Sequence, residues 1–170
     1  LHVTLAERAA RLIETSPEWL QTRRADAVDR LSHLAMPSPS DEVWRYVDLG
    51  FDLGGYEPAQ AAGAPMAPGP WLAALSDRSG EATMIDGHVV SASSATAVNI
   101  QAADGHARSG SRLEAGRDIF AAAHAAFSPG GLVIEAPRNA AIVEPIVVDV
   151  QATTAGTSSY PTVSITAEEN

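Results

Sequence analysis

The sequence has no cysteine and no lysine among its 170 residues. The first absence removes disulfides, thiol nucleophiles, thiolate zinc sites and cysteine-ligated iron–sulfur clusters from within these residues. The second removes the P-loop, whose lysine sits at the phosphates, and every Schiff-base mechanism. Positive charge is scarce as a whole: 11 arginines face 21 acidic residues, for a net charge of −10 and a pI near 4.8. Such a field repels phosphate backbones and anionic lipid heads, so the expectation is no nucleic-acid and no membrane partner. Long apolar runs are missing too; none approaches the ~20 residues that span a bilayer. The N-terminus lacks the basic, apolar, small-residue order of a signal peptide. These absences predict a soluble, cytoplasmic protein. Its length allows one domain or two small ones, with roughly two-thirds of the unfolded chain's surface buried.

What is present begins with helical periodicity. Thr4 and Glu7 have capping-box spacing, and Leu5, Ala9, Leu12 and Ile13 share a helical face. Ser16-Pro17 predicts a second helix, with serine as N-cap and proline at the first helical position. Leu20, Ala27, Val28, Leu31 and Leu34 then form its apolar stripe, and Arg23, Arg24, Asp26, Asp29 and Arg30 are expected to face water. Pro37 and Pro39 end it. Aromatics gather next, at Trp44, Tyr46, Phe51 and Tyr56. Residues 57–70 hold Pro58, Pro65, Pro68 and Pro70 among alanine and glycine, which reads as a linker or mobile loop.

Beyond that stretch the period changes. Residues 82–90 read as a hairpin around Asp86-Gly87, the strongest short-range signal of that kind. Thr96–Ala102 is a further possible strand, and 103–112 a polar loop. Asp118 caps a short helix carrying Ile119, Phe120, Ala123 and Phe127, which Pro129-Gly130-Gly131 stops. Three short apolar runs follow, Leu132–Ile134, Ile146–Val148 and Val163–Ile165. Their spacing suits either a sandwich or the rungs of a β-solenoid. The last run reaches Ala167 with no capping element after it, so the β-rich segment reads as truncated.

Local chemistry is nearly silent. The histidines are His2, His33, His88, His106 and His124, and no two have the spacing that puts a pair of imidazoles on one metal. His33 and His106 read as surface residues, His88 as a turn-flanking polar residue, and His124 as packed or partly exposed. Asp41-Glu42 and Glu168-Glu169 are sequence neighbours, which point in different directions and form no acid/base dyad. Asp41-Glu42 instead suits the N-terminal charge of a helix. Neither a Gly-x-Ser-x-Gly elbow nor a Gly-x-Gly-x-x-Gly loop occurs, and nothing favours a Ser/His/Asp set assembled from distant positions.

Several blocks, in order, resemble one family. Met36-Pro37-Ser38-Pro39 to Glu42-Val43-Trp44-Arg45-Tyr46-Val47-Asp48-Leu49 is similar to a signature near the N-terminus of SufD proteins. Met84-Ile85-Asp86-Gly87-His88 resembles the family's hairpin. Asp118–Phe127, Gly130–Ile134 and Glu144-Pro145-Ile146 follow in family order, and Val163–Glu169 looks like a rung. Ala123-His124 and Val47 depart from the usual residues, which blurs the choice between SufD and its paralogue SufB. The resemblance implies a subunit of the SufB–SufC–SufD iron–sulfur cluster assembly scaffold, with SufB and SufC as partners. In that complex SufC is the ATPase, SufB and SufD pair through β-helix cores, and the residues implicated in cluster building and SufC contact lie in the C-terminal half. No catalytic, cofactor-binding or metal-ligating residue is therefore carried over, and this segment is expected to bind no cofactor itself. Trp44, Arg45 and Tyr46 carry over only as family-signature positions, read chiefly as packing of the helical segment onto the sheet, with partner contact as the second reading.

The expected fold is α+β: an N-terminal helical segment (1–56), a Pro/Ala-rich connection (57–79), and a β-rich segment (80–170) that starts a right-handed β-helix, or β-solenoid. The expected function is non-enzymatic, a scaffold part in iron–sulfur cluster assembly. The alternative is a free-standing β-rich module that binds protein or carbohydrate, which would place aromatics along one sheet face.

Overall fold

The computed structural model describes residues 4–95, 97–103 and 114–168. His2, Thr96, His106, most of the 103–112 loop and Glu169 lie outside the described residues. In chain order the elements are α1 (Leu5–Ile13), α2 (Glu18–His33), β1 (Glu57–Pro58), α3 (Pro70–Ala73), β2 (Gly80–Ile85), β3 (His88–Ser94) and β4 (Asn99–Ala102). They continue with α4 (Ile119–Phe127), β5 (Leu132–Ala136), β6 (Ile146–Gln151), β7 (Thr157–Ser158) and β8 (Val163–Ala167). Two compact units result. One draws on 4–58, 114–128 and 156–158, and the other on 59–95, 97–103, 129–155 and 159–168.

In the first unit, α1, α2 and α4 pack together. The capping box forms as its spacing predicts: Thr4 N–H donates to Glu7 Oε2 at 2.7 Å, and Glu7 N–H donates to Thr4 Oγ1 at 3.2 Å. These bonds hold the Glu7 carboxyl below its ordinary value, the Thr4 backbone N–H contributing most. Asp118 caps α4 by accepting from the Ala121 N–H at 2.8 Å. Most of α4 is buried, and its run of alanines lets neighbouring backbones approach closely.

The expectation for the start of α2 is corrected in two respects. Pro17, not Ser16, occupies the N-cap position, and no side chain caps the helix there. Ser16 Oγ instead donates to the Leu12 carbonyl and accepts from Arg24 Nη1. Arg24 does not face water; it is 7% exposed and lies in the same buried stripe as Leu20, Ala27 and Leu31. It also donates from Nη1 to the Leu12 carbonyl at 3.4 Å and from Nη2 to the Ser128 carbonyl at 3.0 Å. Those carbonyls belong to the C-terminal ends of α1 and α4, where the helix dipoles concentrate negative charge. Among the described residues, the guanidinium is thus solvated by two helix ends rather than by a carboxylate. Burial, and then the neighbouring Arg23 charge, weigh against its protonated form, but a guanidinium stays charged in proteins.

The second unit contains two three-stranded sheets, ordered β3-β2-β6 and β4-β5-β8. β2 pairs antiparallel with β3 and parallel with β6, while β5 pairs antiparallel with β4 and parallel with β8. Alternate residues of these strands, Ala82 and Met84, Ile100, and Leu132 and Ile134, turn inward with Val98 to form one core. The strands expected at Leu132–Ile134, Ile146–Val148 and Val163–Ile165 are present as parts of β5, β6 and β8.

The expected β-helix is not what these strands build. A solenoid needs successive strands stacked in parallel as continuous rungs. Here the Asp86-Gly87 turn folds β3 back antiparallel on β2, and β4 likewise runs antiparallel to β5. The outcome is α+β with small mixed sheets. Among the described residues, no helix is long and apolar enough to cross a membrane.

Replacing Arg24 by methionine keeps most of the volume but strips the donors from the Leu12, Ser16 and Ser128 oxygens. Urea denaturation is expected to show a loss of about 2 kcal/mol, within the range for hydrogen bonds to a charged group. An unchanged midpoint would show that the guanidinium does not join the helix ends.

Candidate functional site

Among the described residues of the second unit, a dense polar arrangement surrounds Asp86. The hairpin turn places Asp86 and Gly87 at φ of 50° and 91°, the left-handed pair that a tight two-residue connection requires. Asparagine and aspartate tolerate this region better than most side chains, and glycine adopts it freely. The turn is held at the end of the sheet by the Asp86 N–H, which donates to the Gln151 carbonyl at 2.8 Å.

The Asp86 side chain is buried, at 2% exposure. Its Oδ1 accepts from the Thr153 N–H at 2.7 Å and the Thr154 N–H at 3.4 Å. Its Oδ2 accepts from the Thr153 hydroxyl at 2.9 Å, the Thr154 hydroxyl at 2.7 Å and the Gly63 N–H at 3.2 Å. Burial alone pushes this carboxyl up, but the threonine donors outweigh it and hold the group well below the usual carboxylate range. A carboxylate offers about four lone-pair directions, so these donors leave little capacity for a substrate. A group ionised this firmly is also a poor proton acceptor near neutral pH. Asp86 therefore serves as a joint, fastening three distant segments.

Gln151 extends the joint. Met66 N–H donates to its Oε1 at 2.8 Å, and its Nε2 donates to the Met66 carbonyl at 3.1 Å and to Asp149 Oδ2 at 2.7 Å. The Pro/Ala-rich stretch is thus held at Gly63 and at Met66. Gly63 is required on steric grounds, because a Cβ there would stand 2.7 Å from Asp86 Oδ2 and 2.8 Å from Thr154 Oγ1.

Beside the hairpin lies a small pocket of about 120 Å³, lined by Gly87, His88, Val89, Ala102, Pro129, Gly130 and Gly131. His88 is half-buried, and its Nε2 is enclosed without a hydrogen-bond partner. His33 is exposed, with its Nδ1 at 2.8 Å from the Asp29 carbonyl, and His124 is half-buried in α4. No three His, Asp or Glu side chains come together in a metal-holding group among the described residues. Asp41 precedes the turn Glu42–Trp44, and its Oδ2 accepts from the Ser38 N–H at 2.8 Å.

The signature positions Trp44, Arg45 and Tyr46 belong to the first unit and diverge in environment. The Trp44 ring stands 5.5 Å from that of Phe120, a residue of α4 rather than of a sheet. Phe51 lies 6.2 Å from Phe120 and 6.1 Å from Tyr56, which extends the contact into a chain of four rings. Arg45 is exposed, and Tyr46 is 93% exposed. In the sequence, Asp86 reads as a turn residue only. Its partners Gly63, Thr153 and Thr154 carry no local mark, because their roles arise from contacts across 23 to 68 positions of chain.

No protein-family model matches the chain, and no curated protein matches it either.

Ionisation of Asp86 stabilises the fold, because its folded carboxyl ionises below the unfolded range. That contribution is complete above about pH 5 and shrinks as pH falls toward the folded value. Asp86→Asn keeps a side chain that tolerates the positive φ, and it is expected to lose about 2 kcal/mol at pH 7. The gap from the parent protein should narrow in denaturation curves taken from pH 5 down to pH 3. A gap that stays constant over that range would show that the carboxylate's charge is not what the joint uses. Gly63→Ala is expected to lower the melting temperature at neutral pH, since its methyl displaces the same donors; an unchanged value would contradict the close approach.

Proposed function

We propose that the chain is a non-catalytic scaffold part of an iron–sulfur cluster assembly complex of the SufB–SufC–SufD type. One observation carries the reading. The residues on which the SufD resemblance rests serve as joints in the two units. Trp44 of the signature block meets Phe120 of the Asp118–Phe127 block, and Asp86-Gly87 of the hairpin block fastens the ends of its sheet. Widely separated blocks that matter through mutual packing are what a structural subunit requires. Cluster chemistry and ATP use would then belong to other parts of the complex, with SufC supplying the ATPase.

The alternative of a carbohydrate-binding module needs aromatic platforms on a sheet face. None of the described strands contains Trp, Tyr or Phe.

Purified chain mixed with SufB and SufC encoded in the same genome tests the proposal by size-exclusion chromatography. Co-elution with SufB, with or without SufC, is expected. Separate elution of all three at micromolar concentrations would overturn it.

A further inference from the structure

The first unit displays an apolar surface that its own packing leaves uncovered. Val43 is 83% exposed and Tyr46 is 93% exposed. They stand three residues apart on a tight turn, in which Trp44 N–H donates to the Asp41 carbonyl at 2.9 Å and Val47 N–H to the Trp44 carbonyl at 2.9 Å. These two successive turns bring both exposed side chains into one short, hydrogen-bonded segment. Val47 follows at 45% exposure. Trp44, between them, packs on Phe120 and fixes the turn to α4.

The rest of the segment is fastened as well. Arg8 donates to the Gly54 and Tyr56 carbonyls at 3.3 and 2.9 Å and pairs with Glu57 at 3.1 Å. An exposed tyrosine on an anchored backbone loses little conformational freedom when a partner covers it, as binding hot spots require.

Charge around this surface selects the occupant. Within residues 41–57, Asp41, Glu42, Asp48 and Asp52 stand against the cation Arg45, while Glu57 is taken up by Arg8. Asp41, Asp48 and Asp52 are fixed by accepting backbone N–H groups of Ser38, Gly50 and Gly54 at 2.8, 3.1 and 3.0 Å. Two copies of this face would bring like charges together, and an anionic lipid or nucleic acid would be repelled.

We propose that the exposed Val43–Val47 turn docks a basic, amphipathic segment of a protein partner, with Tyr46 as the apolar anchor and the carboxylates of the same segment, Asp41, Glu42, Asp48 and Asp52, steering its Lys or Arg residues. The inference rests on the assembly reading only in taking the partner to be a protein.

The test uses the full chain and two synthetic helical peptides, one built from Leu and Lys and the other from Leu and Glu at the same positions. Fluorescence anisotropy is expected to show saturable binding of the Lys peptide that weakens with salt, and none of the Glu peptide. Tyr46 and Val43 are almost wholly exposed, so melting temperatures should hold in Tyr46→Ser and Val43→Ser while Lys-peptide affinity falls tenfold or more for Tyr46→Ser. Equal binding of both peptides, or unchanged affinity in Tyr46→Ser, overturns the proposal. So does a dimer of the parent protein, seen by sedimentation, that Tyr46→Ser dissociates, since the face would then be covered by a second copy. Lys-peptide binding without SufB or SufC co-elution removes the SufBCD reading and leaves the docking face standing. Co-elution that survives Tyr46→Ser, with no peptide binding, does the reverse.

Discussion

A carboxylate taken out of water must find other dipoles or lose its charge, and Asp86 has found them. Its desolvation would cost several kcal/mol if uncompensated. Threonine hydroxyls and backbone N–H groups from two separate loops supply the replacement. Because every donor comes from outside the hairpin, the Thr153-Thr154 loop must be in place to hold the carboxylate ionised, and the Gly63 N–H adds a third segment to the same oxygen. The energetic demand of one buried charge thereby becomes a geometric constraint on three stretches of chain. Gln151 reinforces it by taking both backbone groups of Met66.

The helical unit solves the opposite problem by related means. Arg24 is a buried cation with no carboxylate bonded to it among the described residues, and helix C-termini take that role. The carbonyl end of a helix carries partial negative charge, and the planar guanidinium reaches two such ends at once. In both units a lone charge is solvated by neutral dipoles rather than by an opposite ion. Such an arrangement is sensitive to position, since dipoles a few ångströms away solvate poorly. It ties α1, α2 and α4 into one packing solution and gives the Trp44–Phe120 contact a fixed base.

Much of the local structure was legible in the sequence, because local rules create it. The capping box at Thr4 and Glu7, the Asp118 cap and the Asp86-Gly87 turn each depend on residues a few positions apart. The strands also showed as short apolar runs. Their assembly did not show, since an apolar run of that length serves a rung and a mixed sheet equally well. The resemblance to SufD favoured rungs, whereas the antiparallel returns of β3 and β4 make small mixed sheets. Arg24 was misplaced because a charged residue in an amphipathic pattern ordinarily faces water, and only the helix ends brought to it from elsewhere explain its burial. For Asp86 the turn was legible, but nothing near it in sequence announces Thr153 and Thr154. The signature positions Trp44, Arg45 and Tyr46 were legible as a block, while the contrast between an anchored tryptophan and an exposed tyrosine became visible only with Phe120 in place.

A scaffold reading suits a chain whose recognisable residues act on one another, and the joint at Asp86 is the firmest instance of that principle. The carbon-13 shift of the Asp86 side-chain carboxyl, followed by NMR during an acid titration of the folded protein, tests it most directly. The account predicts that the signal remains that of an ionised carboxylate at pH 3, where exposed aspartates are largely protonated. A titration midpoint at the ordinary aspartate value, near pH 4, would contradict it.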